Sequence, residues 1–260
     1  MTSMDSEAVL LERRGATAWL TLNRPEAINA INNRMRQDIP RILMDLDEDP
    51  QVRVIVVRGA GRRGFCVGAD IKEQRSDGGA PREPGPAWLE AFAQAAKPVI
   101  ASIHGFCLGG GLEIALACDL RIASTDATFG LPEPALGLIP GGGGTQRLPR
   151  MVGLGRALQL LLTAERIDAA EAYRIGILTQ IAHGQEALED QTRRLADVIA
   201  ALPPLAVRFA KQAAVRGVNL ELAAGLKLES DLFIQLLSTR DRSEAAAAFK
   251  EKREPVFTGT

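Results

Sequence analysis

The chain has 260 residues, enough for one large domain or one domain with a helical appendage, and long enough to bury a core without disulfides or metal. Hydrophobic residues make up 46% and charged residues 24%, and 31 basic against 32 acidic side chains leave a net charge of −1. That balance argues against a nucleic-acid partner, and no apolar run approaches the ~18 residues of a membrane span.

Residues 1–12 carry Asp5, Glu7 and Glu12 and have no basic segment ahead of an apolar core. They do not read as a targeting peptide, so a soluble cytoplasmic protein is expected. Two short apolar stretches at 9–12 and 17–22 predict a hairpin. Met35, Ile39, Ile42, Leu43 and Leu46 recur at helical spacing, so 33–48 is expected to be an amphipathic helix, kinked or delayed by Pro40. Near-continuous apolar runs at 52–57 and 98–103 predict strands buried on both faces, with a shorter one at 119–123. Helical segments at 88–96 and 111–117 fall between them, which indicates a parallel-type sheet and an α/β core. Residues 76–86 (SDGGAPREPGP) read as a mobile surface loop. From 186 onward four helices are predicted, at 186–201, 204–216, 220–237 and 243–252. The third has too many leucines for one exposed face and is expected to pack on the core or on another subunit. Cys66, Cys107 and Cys118 sit apart in apolar stretches, with no metal-type spacing, and read as reduced thiols.

The chemistry concentrates between 64 and 150. Residues 64–70 (GFCVGAD) and 105–111 (GFCLGGG) each follow a predicted buried strand. Their glycines allow close backbone approach to a ligand, and two such strand ends could aim two amides at one oxygen, as an oxyanion hole does. Glu113 lies one turn into the helix after Gly110, on a segment that is otherwise apolar. Glu133 stands between Pro132 and Pro134, read here as an extended segment, with Leu136, Leu138 and Ile139 suggesting an apolar setting that raises its pKa. Plainer readings stand beside these. A glycine-rich turn before a helix can be simple close packing or a phosphate cradle, although the spacing fits neither dinucleotide nor Walker motifs. A lone helical glutamate is usually solvated, yet one on a buried helix is costly unless paired or protonated.

Taken together, residues 23–30 (NRPEAINA), 65–70, 97–101 (KPVIA), 104–119, 129–133 (FGLPE), 139–150 (IPGGGGTQRLPR) and 251–257 (EKREPVF) resemble the crotonase (enoyl-CoA hydratase/isomerase) family over nearly the whole chain. The resemblance implies an α/β spiral of repeated ββα units over 1–185 and an all-helical region over 186–260 that forms homotrimers, or hexamers as dimers of trimers. It implies an acyl-CoA thioester substrate. Coenzyme A then enters as part of the substrate, with no metal or other cofactor, in the setting of fatty-acid β-oxidation. By position within the motifs, the oxyanion-hole amides belong to Ala69 and Gly110, and Ala27, Ile28, Val67, Asp70 and Ile71 line the substrate path. Gly141 lies near the reacting water. Glu113 and Glu133 match the two glutamates of the hydratases. Glu113 is expected to deprotonate water attacking C3, and Glu133 to protonate C2.

Three positions depart from the family's commonest wording. Val67 stands where alanine or serine is usual, Leu131 replaces a frequent glutamine, and Pro134 replaces a β-branched residue. All three bear on the acyl pocket and point to a branched, cyclic or otherwise unusual enoyl group. The alternatives are isomerisation or hydrolysis on the same scaffold, the latter suggested only by Ser102 and His104, and an idle or RNA-binding relative. Eight Phe, two Trp and one Tyr offer little surface for stacking bases.

Overall fold

The structure, a computed structural model, describes residues 8–70, 73 and 87–260; the predicted loop at 76–86 and Ile71 lie outside the described residues. Val9–Arg14 (β1) and Thr17–Leu22 (β2) form the expected antiparallel hairpin. Asn33–Glu48 (α1) begins where predicted, because the Asn32 side chain accepts a hydrogen bond from the Met35 N–H and caps the first turn. Pro40 neither delays nor ends it. The ring removes one intrahelical bond, but Met35, Ile39, Ile42, Leu43 and Leu46 are all buried against the core and hold the helix through the gap.

The chain then winds between two sheets. Val54–Gly59 (β3), Gly64–Cys66 (β4) and Ala87–Gln94 (α2) make one turn. Val99–Ile103 (β5), Phe106–Leu108 (β6) and Gly110–Ala117 (α3) make the next. Leu120–Ser124 (β7) and Thr128–Gly130 (β8) lead into a short 3-10 turn, Glu133–Leu136, and then Gly144–Val152 (α4). Leu154–Thr163 (α5), Arg166–Asp168 (β9), Ala169–Arg174 (α6) and Gln180–Ala182 (β10) follow. The large sheet has the order β1-β2-β3-β5-β7-β10 and the small one β4-β6-β8-β9. Each turn thus gives one strand to each sheet before its helix, and all neighbours from β2 through β10 in the large sheet run parallel. This is the ββα spiral of the expected α/β class.

Strand periodicity decides which side chains meet. Val54, Val56, Ile100 and Ile122 pack with Trp19 and Ala182 on one face, beneath Leu188 and Ala196 of Gln185–Ala200 (α7). Ile55, Val57, Ala101 and Ile103 point the other way into the main core, with α1, α2 and α3. The strands are therefore buried on both faces, as their unbroken apolar runs foretold. Pro204–Gly217 (α8), Leu222–Leu236 (α9) and Arg240–Glu251 (α10) complete the chain. Helix α8 has no fully buried residue and α9 has only Leu232. Among the described residues no single helix is long and apolar enough to cross a membrane.

Candidate active site

The two glycine-bearing strand ends meet at the carboxyl end of the small sheet. Gly68 has φ +91, and a Cβ placed on it would stand 2.8 Å from the Gly110 nitrogen. Only glycine lets the two backbones approach this closely. A Cβ on Gly110 would in turn stand 3.6 Å from the Ala69 nitrogen, so the Ala69 and Gly110 amides are brought together. The bend is fixed from outside. The Ile31 N–H donates to the Gly68 carbonyl at 2.8 Å and the Asp70 N–H to the Ile31 carbonyl at 3.0 Å, bonds that flank Ala69 and do not use its N–H. Gly110 is the first residue of α3, where an amide has no partner within the helix. Ala69 and Gly110 are both half-buried, within reach of a ligand.

Glu113 lies one turn into α3, only 4% exposed, on a helix whose other residues from Gly111 to Ala117 are also buried. Its Oε1 accepts hydrogen bonds from the Gly142 N–H at 2.6 Å and the Gly144 N–H at 2.9 Å. Burial raises its pKa above the ordinary carboxylate value, while the two amides and the charge of Arg147 pull it back. Gly141 itself is exposed and faces open space. The loop residues that hold Glu113 are its neighbours Gly142 and Gly144.

Glu133 comes from the 3-10 turn that follows β8. A Cβ on Gly109, which has φ +53, would stand 2.7 Å from Glu133 Oε1, so the carboxylate packs on the turn that starts α3. Its Oε2 is buried without a hydrogen-bond partner among the described residues. Desolvation raises its pKa, and the nearby Glu113 charge raises it further. The setting differs from the expectation in two ways. Glu133 opens a 3-10 turn instead of lying in an extended segment, because Pro132 takes ψ 2° and starts the turn. Leu136, Leu138 and Ile139 do not enclose it; they are 59%, 61% and 73% exposed. The Gly109 turn crowds the carboxyl group instead.

Ala27 and Ile28 sit on a bend after Pro25 in which Ile28 and Asn29 adopt φ of 51° and 55°. Asn29 is fully buried and locks the bend, accepting from the Arg24 N–H and donating to the Ala60 and Gly64 carbonyls. Arg24 then reaches Asp70 Oδ2 at 2.8 Å and ties this bend to the segment carrying Ala69. Val67 is half-buried beside it. The structure therefore gathers Ala27, Ile28, Val67, Ala69, Asp70, Gly110, Glu113 and Glu133. Sequence reasoning missed Arg24, Asn29, Gly142, Gly144 and Arg147; the four-glycine run at 141–144 was the signal available for the loop.

Ser102 and His104 do not form a triad among the described residues. They line a separate cavity of about 280 Å³ with Trp19, Thr21 and Arg58. Ser102 Oγ is hydrogen-bonded to Thr192 Oγ1 at 3.1 Å. An acidic neighbour of His104 does exist, Asp126, although that residue also accepts a hydrogen bond from Ser124.

Known proteins agree with this architecture. The family described as enoyl-CoA hydratase/isomerase matches residues 12–260. A short-chain-enoyl-CoA hydratase of Clostridium acetobutylicum is 40% identical, with 96% of this chain and 97% of that protein aligned. An (E)-benzylidenesuccinyl-CoA hydratase of Thauera aromatica is 42% identical, with 96% and 99% aligned. The crystal structure of an enoyl-CoA hydratase from Bacillus anthracis superposes with a TM-score of 0.93 at 38% identity, over 97% of this chain and 100% of that one. With a spiral fold, a family match over residues 12–260 and near-complete alignment to these proteins, the chain belongs to the enoyl-CoA hydratase/isomerase family.

Proposed function

We propose that the protein is an enoyl-CoA hydratase, adding water across the 2,3 double bond of a 2-enoyl-CoA to give the 3-hydroxyacyl-CoA. The observation that carries this reading is the placement of two desolvated carboxyls near one another at the turn that starts α3, Glu113 one turn into that helix and Glu133 packed on Gly109. In this reading the thioester carbonyl accepts hydrogen bonds from the Ala69 and Gly110 amides. Electron density drawn toward that oxygen leaves C3 electrophilic, and charge builds on the oxygen as an enolate. Each such donor contributes about 3 kcal/mol in comparable sites. Two amides on Oε1 favour the ionised form of Glu113, which leaves Oε2 to take a proton from the attacking water as the C3–O bond forms. Glu133 has an unpartnered oxygen and a like charge nearby, which favour its protonated form. It delivers its proton to C2 as the enolate collapses. Ala27, Ile28 and Asp70 line the path of the coenzyme A moiety, and Val67, Leu131 and Pro134 shape the acyl end.

The same reading extends to the assembly and the compartment. Leu222, Leu226, Phe233, Ile234 and Leu237 leave an apolar face on and beside α9 that supports a homotrimer, or a hexamer of two trimers. Cys66, Cys107 and Cys118 are buried free thiols, which supports a reducing compartment, the cytoplasm. The test is hydration of crotonyl-CoA, followed by loss of the conjugated thioester absorbance. Glu113→Gln and Glu133→Gln are each expected to lower kcat by orders of magnitude with the assembly intact. Retained activity in both variants would sink the two-carboxylate reading.

A further inference from the structure

The loop that grips Glu113 is a run of four glycines, Gly141 to Gly144, and such a run has no intrinsic preference for one shape. Something must select the conformation in which the Gly142 and Gly144 N–H groups converge on one carboxylate oxygen. Gly142 has no room to adjust: a Cβ there would meet Leu89 and stand 2.5 Å from Glu113 Oε2. The peptide between the two donor amides carries the Gly142 carbonyl, and Arg147 Nη1 donates to that carbonyl at 3.0 Å. Among the described residues it is the one side-chain donor to a carbonyl of this run. Arg147 lies on α4, and its other terminal nitrogen, Nη2, donates to Glu90 Oε1 on α2 at 2.8 Å. The planar fork of a guanidinium is therefore held at both prongs, one by a carboxylate and one by the loop.

We propose that Arg147 is a positioning residue for Glu113: it fixes the Gly142–Gly143 peptide so that the two flanking amides hold Oε1, and Glu90 aims its guanidinium. This rests on the role of Glu113 proposed above. Three charged groups bear on the Glu113 carboxyl from its surroundings. Arg147 on α4 favours the carboxylate, Glu133 on the 3-10 turn is a like charge, and Glu90 on α2 acts through Arg147. Removing Arg147 takes away both the tether and a favourable charge.

The test uses the full chain and crotonyl-CoA as substrate. Arg147→Met is expected to lower kcat on the order of tenfold to a hundredfold, as slight misplacement of a reacting group does, with KM nearly unchanged. The acid limb of kcat/KM is expected to move to higher pH, because protonation of Glu113 becomes easier. Arg147→Lys restores part of the rate. A rise in KM with kcat unchanged, or a rate loss with the acid limb unmoved, overturns the proposal. Glu90→Gln, at a partly exposed position, serves if Arg147→Met does not fold; it lowers kcat several-fold, and an unchanged kcat overturns the proposal too. Glu113→Gln separates this inference from the reading beneath it. If Glu113→Gln retains full activity, both fall. If it keeps only a low residual rate, Arg147→Met in that background is expected to cost nothing further, whereas the same additional loss as in the parent overturns the role of Arg147 alone.

Discussion

Glu133 places an unpartnered carboxyl oxygen in a desolvated position beside a second carboxylate, an arrangement that costs stability in the ionised state. Its folded pKa is raised, first by desolvation and then by the Glu113 charge. Between the ordinary carboxylate value and the raised one, the native state binds more protons than the unfolded chain. Stability therefore falls as pH rises through that window and stays lowered above it. Glutamine cannot ionise, so Glu133→Gln escapes this loss. The unfolding temperature of the variant minus that of the parent is expected to be more positive at about pH 7 than at about pH 4. An equal difference at the two pH values would show that Glu133 is not strained by ionisation. The carboxylate on an otherwise apolar helix was conspicuous in the sequence, but its supports were not. Gly142 and Gly144 lie 29 and 31 residues away and act through backbone N–H groups. Side-chain pattern does not encode where four glycines will point their amides.

The bend at Asn29 ties the segment after β2 to Ala60 and to Gly64 at the start of β4. Its side chain, with no exposed surface, makes three hydrogen bonds to backbone, to Arg24 at 2.9 Å, Ala60 at 3.0 Å and Gly64 at 2.9 Å. The residue itself has φ 55°, a region asparagine tolerates better than alanine. Asn29→Ala removes all three partners and leaves buried backbone groups unsatisfied, so a loss of about 2–4 kcal/mol is expected in denaturant unfolding. Asn32→Ala, which removes only the cap of α1, is expected to cost about 1 kcal/mol. A loss at Asn29 no larger than at Asn32 would show that the bend is held by other contacts. Long elements were legible for the same reason that these bends were not. The apolar runs of β3 and β5 and the 3.6-residue rhythm of α1, α7, α8 and α9 repeat often enough to be read. β4, β6, β8, β9 and β10 are three residues each, too short for a period of two to show. The Pro132–Pro134 segment was misread because proline's fixed φ suits an extended chain and the first turn of a helix equally.

At the scale of the molecule, the last helices present a surface that a single chain does not cover. Leu222, Leu226, Phe233 and Leu237 are 75%, 55%, 60% and 53% exposed. Their spacing of four, seven and four residues keeps them near one face of the α9 segment. Helical rhythm predicted that these leucines would need a partner, and within the chain only Leu232 is buried. Contiguous exposed apolar surface of this kind on a folded chain is characteristic of contact sites between proteins. Leu226→Glu together with Phe233→Glu tests this without touching the core, since both side chains already face outward. Placing two carboxylates in an apolar contact carries a desolvation cost that the contact cannot repay. Light scattering after gel filtration is expected to give an oligomeric mass for the parent and a single-chain mass for the double variant, with helical circular dichroism unchanged. A parent of single-chain mass would remove the proposed assembly. A double variant that still assembles would move the contact to another face, for which Leu154, Leu158 and Leu162 along α5, 65%, 40% and 75% exposed, offer a second stripe.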